Sequence, residues 1–139
     1  MTNVTLAESY LEKAQVRLKM IKFLFEEKAY SDIIREAQEA VELALKGILR
    51  KIGVEPPKQH DVGYLLIEYK DKLPKDVADK ADKLASISKW LRKEREFSFY
   101  GDIDFIPTLE YTKEDAEKAY SDLQTVIEAA EKVILQERM

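Results

Sequence analysis

The chain reads as all-α: an up-down antiparallel bundle of four long helices plus one short helix, with a long aromatic loop before the last. Three observations predict this. Apolar residues recur at three- and four-residue steps over most of the 139 residues, which is the period of a helix with one buried face. No segment alternates with period two, so there is no credible strand. Glycine and proline signals, Gly53 with Pro56-Pro57 and then Leu73-Pro74, cut the periodic stretches into helix-sized pieces.

In the first segment Leu6, Tyr10, Ala14, Leu18, Ile21, Leu24 and Phe25 share a face. Thr2, Asn3 or Thr5 can cap its start, and it should end near Lys28. The second helix is expected to open at Ser31 or Asp32 as N-cap. Its stripe of Ile33, Ile34, Ala37, Ala40, Val41, Ala44, Leu45, Ile48, Leu49 and Ile52 is unusually wide. Either it faces a second subunit as well as its own bundle, or it is central in the bundle. Gly53 suits a C-terminal stop, and Pro56-Pro57 forbids continuation.

A short third helix is predicted from His60 or Asp61 to Lys70. A fourth starts at Leu73-Pro74, with Val77, Ala81, Leu84, Ala85, Ser88 and Leu91 inward. Thr112-Lys113-Glu114-Asp115 resembles a capping box with Asp in place of Glu. It opens a last helix burying Ala116, Ala119, Tyr120, Leu123, Val126, Ile127, Ala130 and Val133. Short loops imply antiparallel neighbours.

Arg95 to Thr112 is the exception. It holds Phe97, Phe99, Tyr100, Phe105 and Tyr111 without a helical period. Structureless connections of this length are uncommon in compact domains and usually functional, and disordered segments are poor in aromatics. An ordered, aromatic-pinned loop is predicted.

Composition narrows the function. One domain, 1–139, is expected at this length. There is no cysteine and one histidine, which excludes disulfides, thiolate chemistry and a multi-histidine zinc site within one chain. No cofactor is implied. The N-terminus lacks a signal-peptide core, and no apolar run approaches the roughly 18 residues of a membrane span, so a cytoplasmic protein without membrane contact is expected. A net charge of −4 does not advertise nucleic-acid binding, yet leaves room for a local basic cleft. The 36% of charged residues and the single Asn3 agree equally with a thermophile and with a small helical protein having solvated faces.

The candidate site lies where the fourth helix meets the aromatic loop. Lys89, Arg92 and Lys93 share a helix face, and Arg95 follows. These cations can simply complement the helix macrodipole, or their guanidinium groups can grip phosphate bidentately. The neighbouring aromatics can pack or stack on a base. Gly101 permits a sharp turn that would present Tyr100 and Asp102 toward the same basic end; otherwise Asp102 caps local N–H groups. Asp102, Asp104 and Glu110 match no metal motif. His60 is most simply structural, bracing its loop. Glu42 and Lys46 read as a surface pair of small worth.

Three stretches together resemble the HEPN domain (higher eukaryote and prokaryote nucleotide-binding domain). They are Ser31 to Leu49; Pro57-Lys58-Gln59-His60-Asp61-Val62-Gly63-Tyr64-Leu65-Leu66; and Arg92 to Tyr100 with Tyr111 to Ala119. The resemblance implies a helical homodimer with a cleft at its interface, built from the fourth-helix end and the loop after it. It implies nucleotide or RNA binding, and a two-component toxin–antitoxin module with a minimal nucleotidyltransferase. Many members are metal-independent ribonucleases carrying an Arg followed, after four to six residues, by a His. Here Tyr100 follows Arg95 in that place, and no histidine lies beyond His60. Tyrosine, titrating near about 10, is a poor general base. Phosphate binding by Arg92, Arg95, Tyr100, Asp102 and Lys89 is therefore the leading expectation. The alternatives are a ribonuclease using Arg95 and Tyr100, and a non-catalytic protein-interaction module.

Overall fold

The computed structural model describes residues 2–136. Four long helices dominate: α1 (Thr2–Glu26), α2 (Tyr30–Lys51), α5 (Ala81–Phe99) and α7 (Lys113–Ile134). Short helices α3 (Tyr64–Glu68), α4 (Lys75–Ala78) and α6 (Pro107–Glu110) join them, with a 3-10 turn at Lys70–Lys72. Among the described residues there is no strand, only an isolated antiparallel bridge between Asp102 and Phe105. No helix among them is long and apolar enough to cross a membrane.

Helix α2 is central, packing against α1, α5 and α7. This accounts for its broad stripe: Ile33, Ile34, Ala37, Ala40, Val41, Ala44, Leu45, Ile48 and Leu49 are all buried within one chain. Those side chains therefore need no second subunit to leave water, and burying each large one contributes roughly 1.5–3 kcal/mol. The inward residues expected of α7 are buried too, Tyr120 partly.

Several boundaries are as expected and several are not. Gly53 sits at φ +88 just past α2. Thr112 and Asp115 form a reciprocal capping box: Thr112 N donates to Asp115 Oδ2 at 2.9 Å, and Asp115 N donates to Thr112 Oγ1 at 3.2 Å. The capping expected of Thr2, Asn3 or Thr5 involves side chains outside the described residues. At α2 the expectation of a Ser31 or Asp32 cap is wrong. Lys28 takes a left-handed turn (φ 56), Ala29 is the N-cap without a side-chain bond, and Ser31 is buried inside the helix. Backbone closure, Lys28 N to Phe25 O and Ala29 N to Leu24 O, ends α1 and launches α2 without side-chain help.

The predicted fourth helix is two helices. Pro74 caps the single turn of α4, the chain bends at Asp79-Lys80, and α5 begins at Ala81. The break lets α4 pack on α7 while α5 packs on α2; an Asp76–Lys132 ion pair at 2.8 Å holds the first junction. The third helix is shorter than predicted, because His60 to Gly63 forms a turn rather than a first helical turn. On the outer side, the Lys118 ammonium lies 3.8 Å from the Trp90 ring centroid, joining α7 to α5.

The aromatic segment is corrected at both ends. Arg95 to Phe99 continue α5, and Pro107 to Glu110 form α6, so the irregular part is about residues 100–106. Its pinning is as predicted. Phe105 meets Phe97 (centroids 5.4 Å) and Tyr111 (5.7 Å), both edge-on, the geometry the ring quadrupole favours. Tyr111 is buried, and its hydroxyl donates to Glu94 Oε1 at 2.8 Å. Burial and that carboxylate push the phenol far above its ordinary range.

A candidate anion site on the polar seam of α2

The site grows from two helix faces. On α2 the polar residues Arg35, Gln38, Glu39, Glu42 and Lys46 recur at three- and four-residue steps beside the buried stripe, so they form one seam. Helix α5 brings Arg95 against it. Arg95 Nη2 pairs with Glu39 Oε1 at 2.9 Å, and Nη1 donates to Gln38 Oε1 in a very short hydrogen bond. The Arg95 side chain is 17% exposed, so its guanidinium plane is set by two neighbours rather than left to solvent.

Glu39 is shared. Arg35 Nη2 approaches the same Oε1 at 3.8 Å, too far for a good hydrogen bond but close enough to concentrate positive charge. The Arg35 guanidinium also lies 4.2 Å from the Phe99 ring centroid, and Phe99 meets Tyr100 edge-on at 4.9 Å. A continuous line therefore runs from Arg95 through Glu39 and Arg35 to Phe99 and Tyr100. Arg35 was not among the residues the sequence nominated. Its signal was present, as a cation three and four residues from Gln38 and Glu39, but the partner lies on another helix.

Toward the other end of the seam stands Glu42, only 15% exposed. Its Oε1 accepts from Gln38 Nε2 at 3.2 Å and faces His60 Nδ1 at 2.9 Å; its Oε2 binds Lys46 Nζ at 3.0 Å. The expectation of a surface Glu42–Lys46 pair of small worth is corrected: Lys46 is 17% exposed and the carboxylate serves three partners. Burial raises the Glu42 pKa, but hydrogen bonds from His60, Lys46 and Gln38 outweigh it and hold the carboxyl below its ordinary value.

His60 reaches Glu42 because its loop is fastened to α5. Ser88 Oγ donates to Asp61 Oδ1 at 2.8 Å, and Gly63 N donates to the same oxygen at 3.3 Å. Gly63 lies so close to α5 that an added Cβ would stand 2.7 Å from Ala85 Cα; only glycine fits. His60 thus braces its loop as expected, and it also joins the network that contains Arg95.

The remaining nominated residues divide. Arg92 is half-buried and Lys89 exposed on α5, and neither has a hydrogen-bond or ion-pair partner among the described residues. Tyr100 is 73% exposed beside the seam. Gly101 takes φ +70, and a Cβ there would collide with the Phe105 carbonyl and the Pro107 ring. That turn spends Asp102 locally: its carboxylate accepts from Ile103 N at 2.7 Å, and its backbone exchanges two bonds with Phe105. Asp102 is not brought to the basic groups. Among the described residues no cluster of acidic or histidine side chains could hold a metal ion.

Comparison with known proteins agrees with this architecture. The chain is 26% identical over 133 residues, 91% of its length and 86% of the relative's, to a protein of Methanocaldococcus jannaschii named "Putative toxin MJ1304". Its fold matches the crystal structure of ST0689, described as an archaeal HEPN homologue, with a TM-score of 0.70 over 92% of this chain and 97% of that one, at 22% identity. The sequence model of the HEPN domain matches residues 7–133. The chain belongs to the HEPN domain family.

Proposed function

We propose that this protein binds the phosphate of a nucleotide or RNA at the α2–α5 seam, as one component of a toxin–antitoxin type module in the cytoplasm. The observation that carries the reading is the shared carboxylate: two guanidinium groups, Arg95 and Arg35, converge on Glu39 Oε1. One carboxylate cannot neutralise both, and guanidinium forks match phosphate oxygens. Arg92 and Lys89 add unpaired positive charge further along α5, and Tyr100 offers a hydroxyl and a ring face beside Arg35 and Phe99. The relative named "Putative toxin MJ1304" supports the two-component setting; a nucleotidyltransferase-like protein is the partner that the family resemblance implies.

A homodimer belongs to the same reading. Phe97, Phe99, Tyr100, Ile103, Ile106 and Leu109 are all exposed at this end, Ile103 by 90%. So many exposed large apolar side chains within thirteen residues suit an interaction surface. A second copy seated there would close over the seam and bring its own arginines.

Isothermal titration with mononucleotides and short RNA tests the site. Arg35→Gln with Arg95→Gln is expected to weaken binding at least tenfold and to flatten its salt dependence, with the helical circular dichroism unchanged. Undiminished binding in the folded double variant overturns the assignment.

A further inference from the structure

The seam carries a second pair of basic groups that the phosphate site above does not use. Glu39 stands between Arg35 of α2 and Arg95 of α5; one step along the same face, Glu42 stands between Lys46 of α2 and His60 of the loop. Each carboxylate joins a basic group from its own helix to one from elsewhere. Gln38, buried to 3% exposure, links the two units, accepting from Arg95 and donating to Glu42.

We propose that Lys46 and His60 form a second phosphate subsite, so that the ligand is a single-stranded oligonucleotide lying along α2 rather than a lone nucleotide; this rests on the phosphate-binding reading of Arg35 and Arg95. The geometry supplies the reasons. Residues 35 to 46 span about 16 Å of helix at 1.5 Å per residue, room for successive phosphates of one strand. An ionised carboxylate only accepts, so His60 Nδ1 carries the hydrogen facing Glu42; Nε2, without a partner on a side chain 45% exposed, donates to a phosphate oxygen in the imidazolium form of the ring. The imidazole is fixed, because Asp61 beside it is bound to Ser88 and to Gly63 N, and fixed donors lose little freedom on binding. Across the seam Arg35, Arg95 and Lys46 face Glu39, Glu42 and the Asp61 beside His60, so the imidazolium form of His60 tips the balance to positive. At the far end the exposed Tyr100 ring offers a stacking face to a base, an interaction open to single strands and closed to duplexes.

The test compares a mononucleotide, a dinucleotide and a pentanucleotide by calorimetry at two salt concentrations. For the native protein, affinity should rise at least tenfold from mono- to pentanucleotide, and the salt slope should steepen by about 0.7 for each added phosphate contact. His60→Gln, which keeps a side chain able to reach Glu42, and separately Lys46→Met should each remove most of that length-dependent gain. A gain that survives both variants, or is absent from the native protein, overturns the second subsite. If no ligand of any length binds the native protein, the phosphate-binding reading itself falls. Urea melts of both variants establish that each is folded.

Discussion

Glu42 accepts from three side chains while nearly shut off from water, and that combination has measurable consequences. Replacing it by Gln leaves Lys46 and His60 without their charged acceptor. The expected loss is about 1–3 kcal/mol of stability at pH 7, read from urea unfolding. The pH dependence follows from the lowered pKa. The folded state releases this proton more readily than the unfolded chain, so the contribution is complete above the unfolded value. It disappears as pH falls through the folded one. The native protein should therefore lose more stability between pH 6 and pH 3 than Glu42→Gln does. Tyr111 has the opposite sign. Its phenol is raised by burial and Glu94, so its proton is held more tightly in the folded state, and stability is shed as pH climbs above the ordinary phenol value. Thermal melts at pH 8 and pH 11 should show a smaller fall for Tyr111→Phe than for the native chain. Of these pairings, sequence could offer the Glu42–Lys46 spacing but neither His60–Glu42 nor Tyr111–Glu94, because their partners are 18 and 17 residues apart on different elements.

At the scale of helices, periodicity and punctuation were enough to place four long elements. The Thr112–Asp115 box could be read because all its atoms come from four consecutive residues. Thr112→Ala should cost about 0.5–2 kcal/mol, and Ile48→Ala, wholly buried, about 2–5 kcal/mol, both measurable by chemical denaturation. What could not be read was tertiary. Arg95-Glu96-Phe97-Ser98-Phe99 looks irregular as a string, since aromatics and charges alternate. In the folded chain it is helical, with Arg95 docked on α2, Ser98 buried and bonded to the Arg95 carbonyl, and Phe97 packed on Phe105. Likewise the break between α4 and α5 has no glycine or proline at the bend; it follows from which neighbour each half packs against.

For the whole molecule, the helices were legible from apolar period and the family from three motif stretches, whereas the central place of α2 was only one of two readings of its wide stripe. The candidate site was half legible. Arg95 was nominated from its place at a helix end, whereas Arg35, Gln38 and Glu39 became visible only when α5 crossed α2, a separation of 57 residues for Arg95 and Gln38. Self-association is the matching prediction at this scale. Light scattering should give about twice 16.1 kDa. Ile103→Asp with Leu109→Asp should return the chain to one copy while leaving its helical content intact. A native protein running as one copy at micromolar concentration would remove the paired arrangement.

Trp90 is the chain's sole indole, and the Lys118 ammonium sits on its face at the crossing of α5 and α7. The protein therefore carries a built-in optical reporter a few residues from Arg92 and Arg95. Its emission should shift when those two helices separate, and Lys118→Met should alter the native spectrum without abolishing the transition. Docking events along the arginine-bearing helix can then be followed with no dye attached.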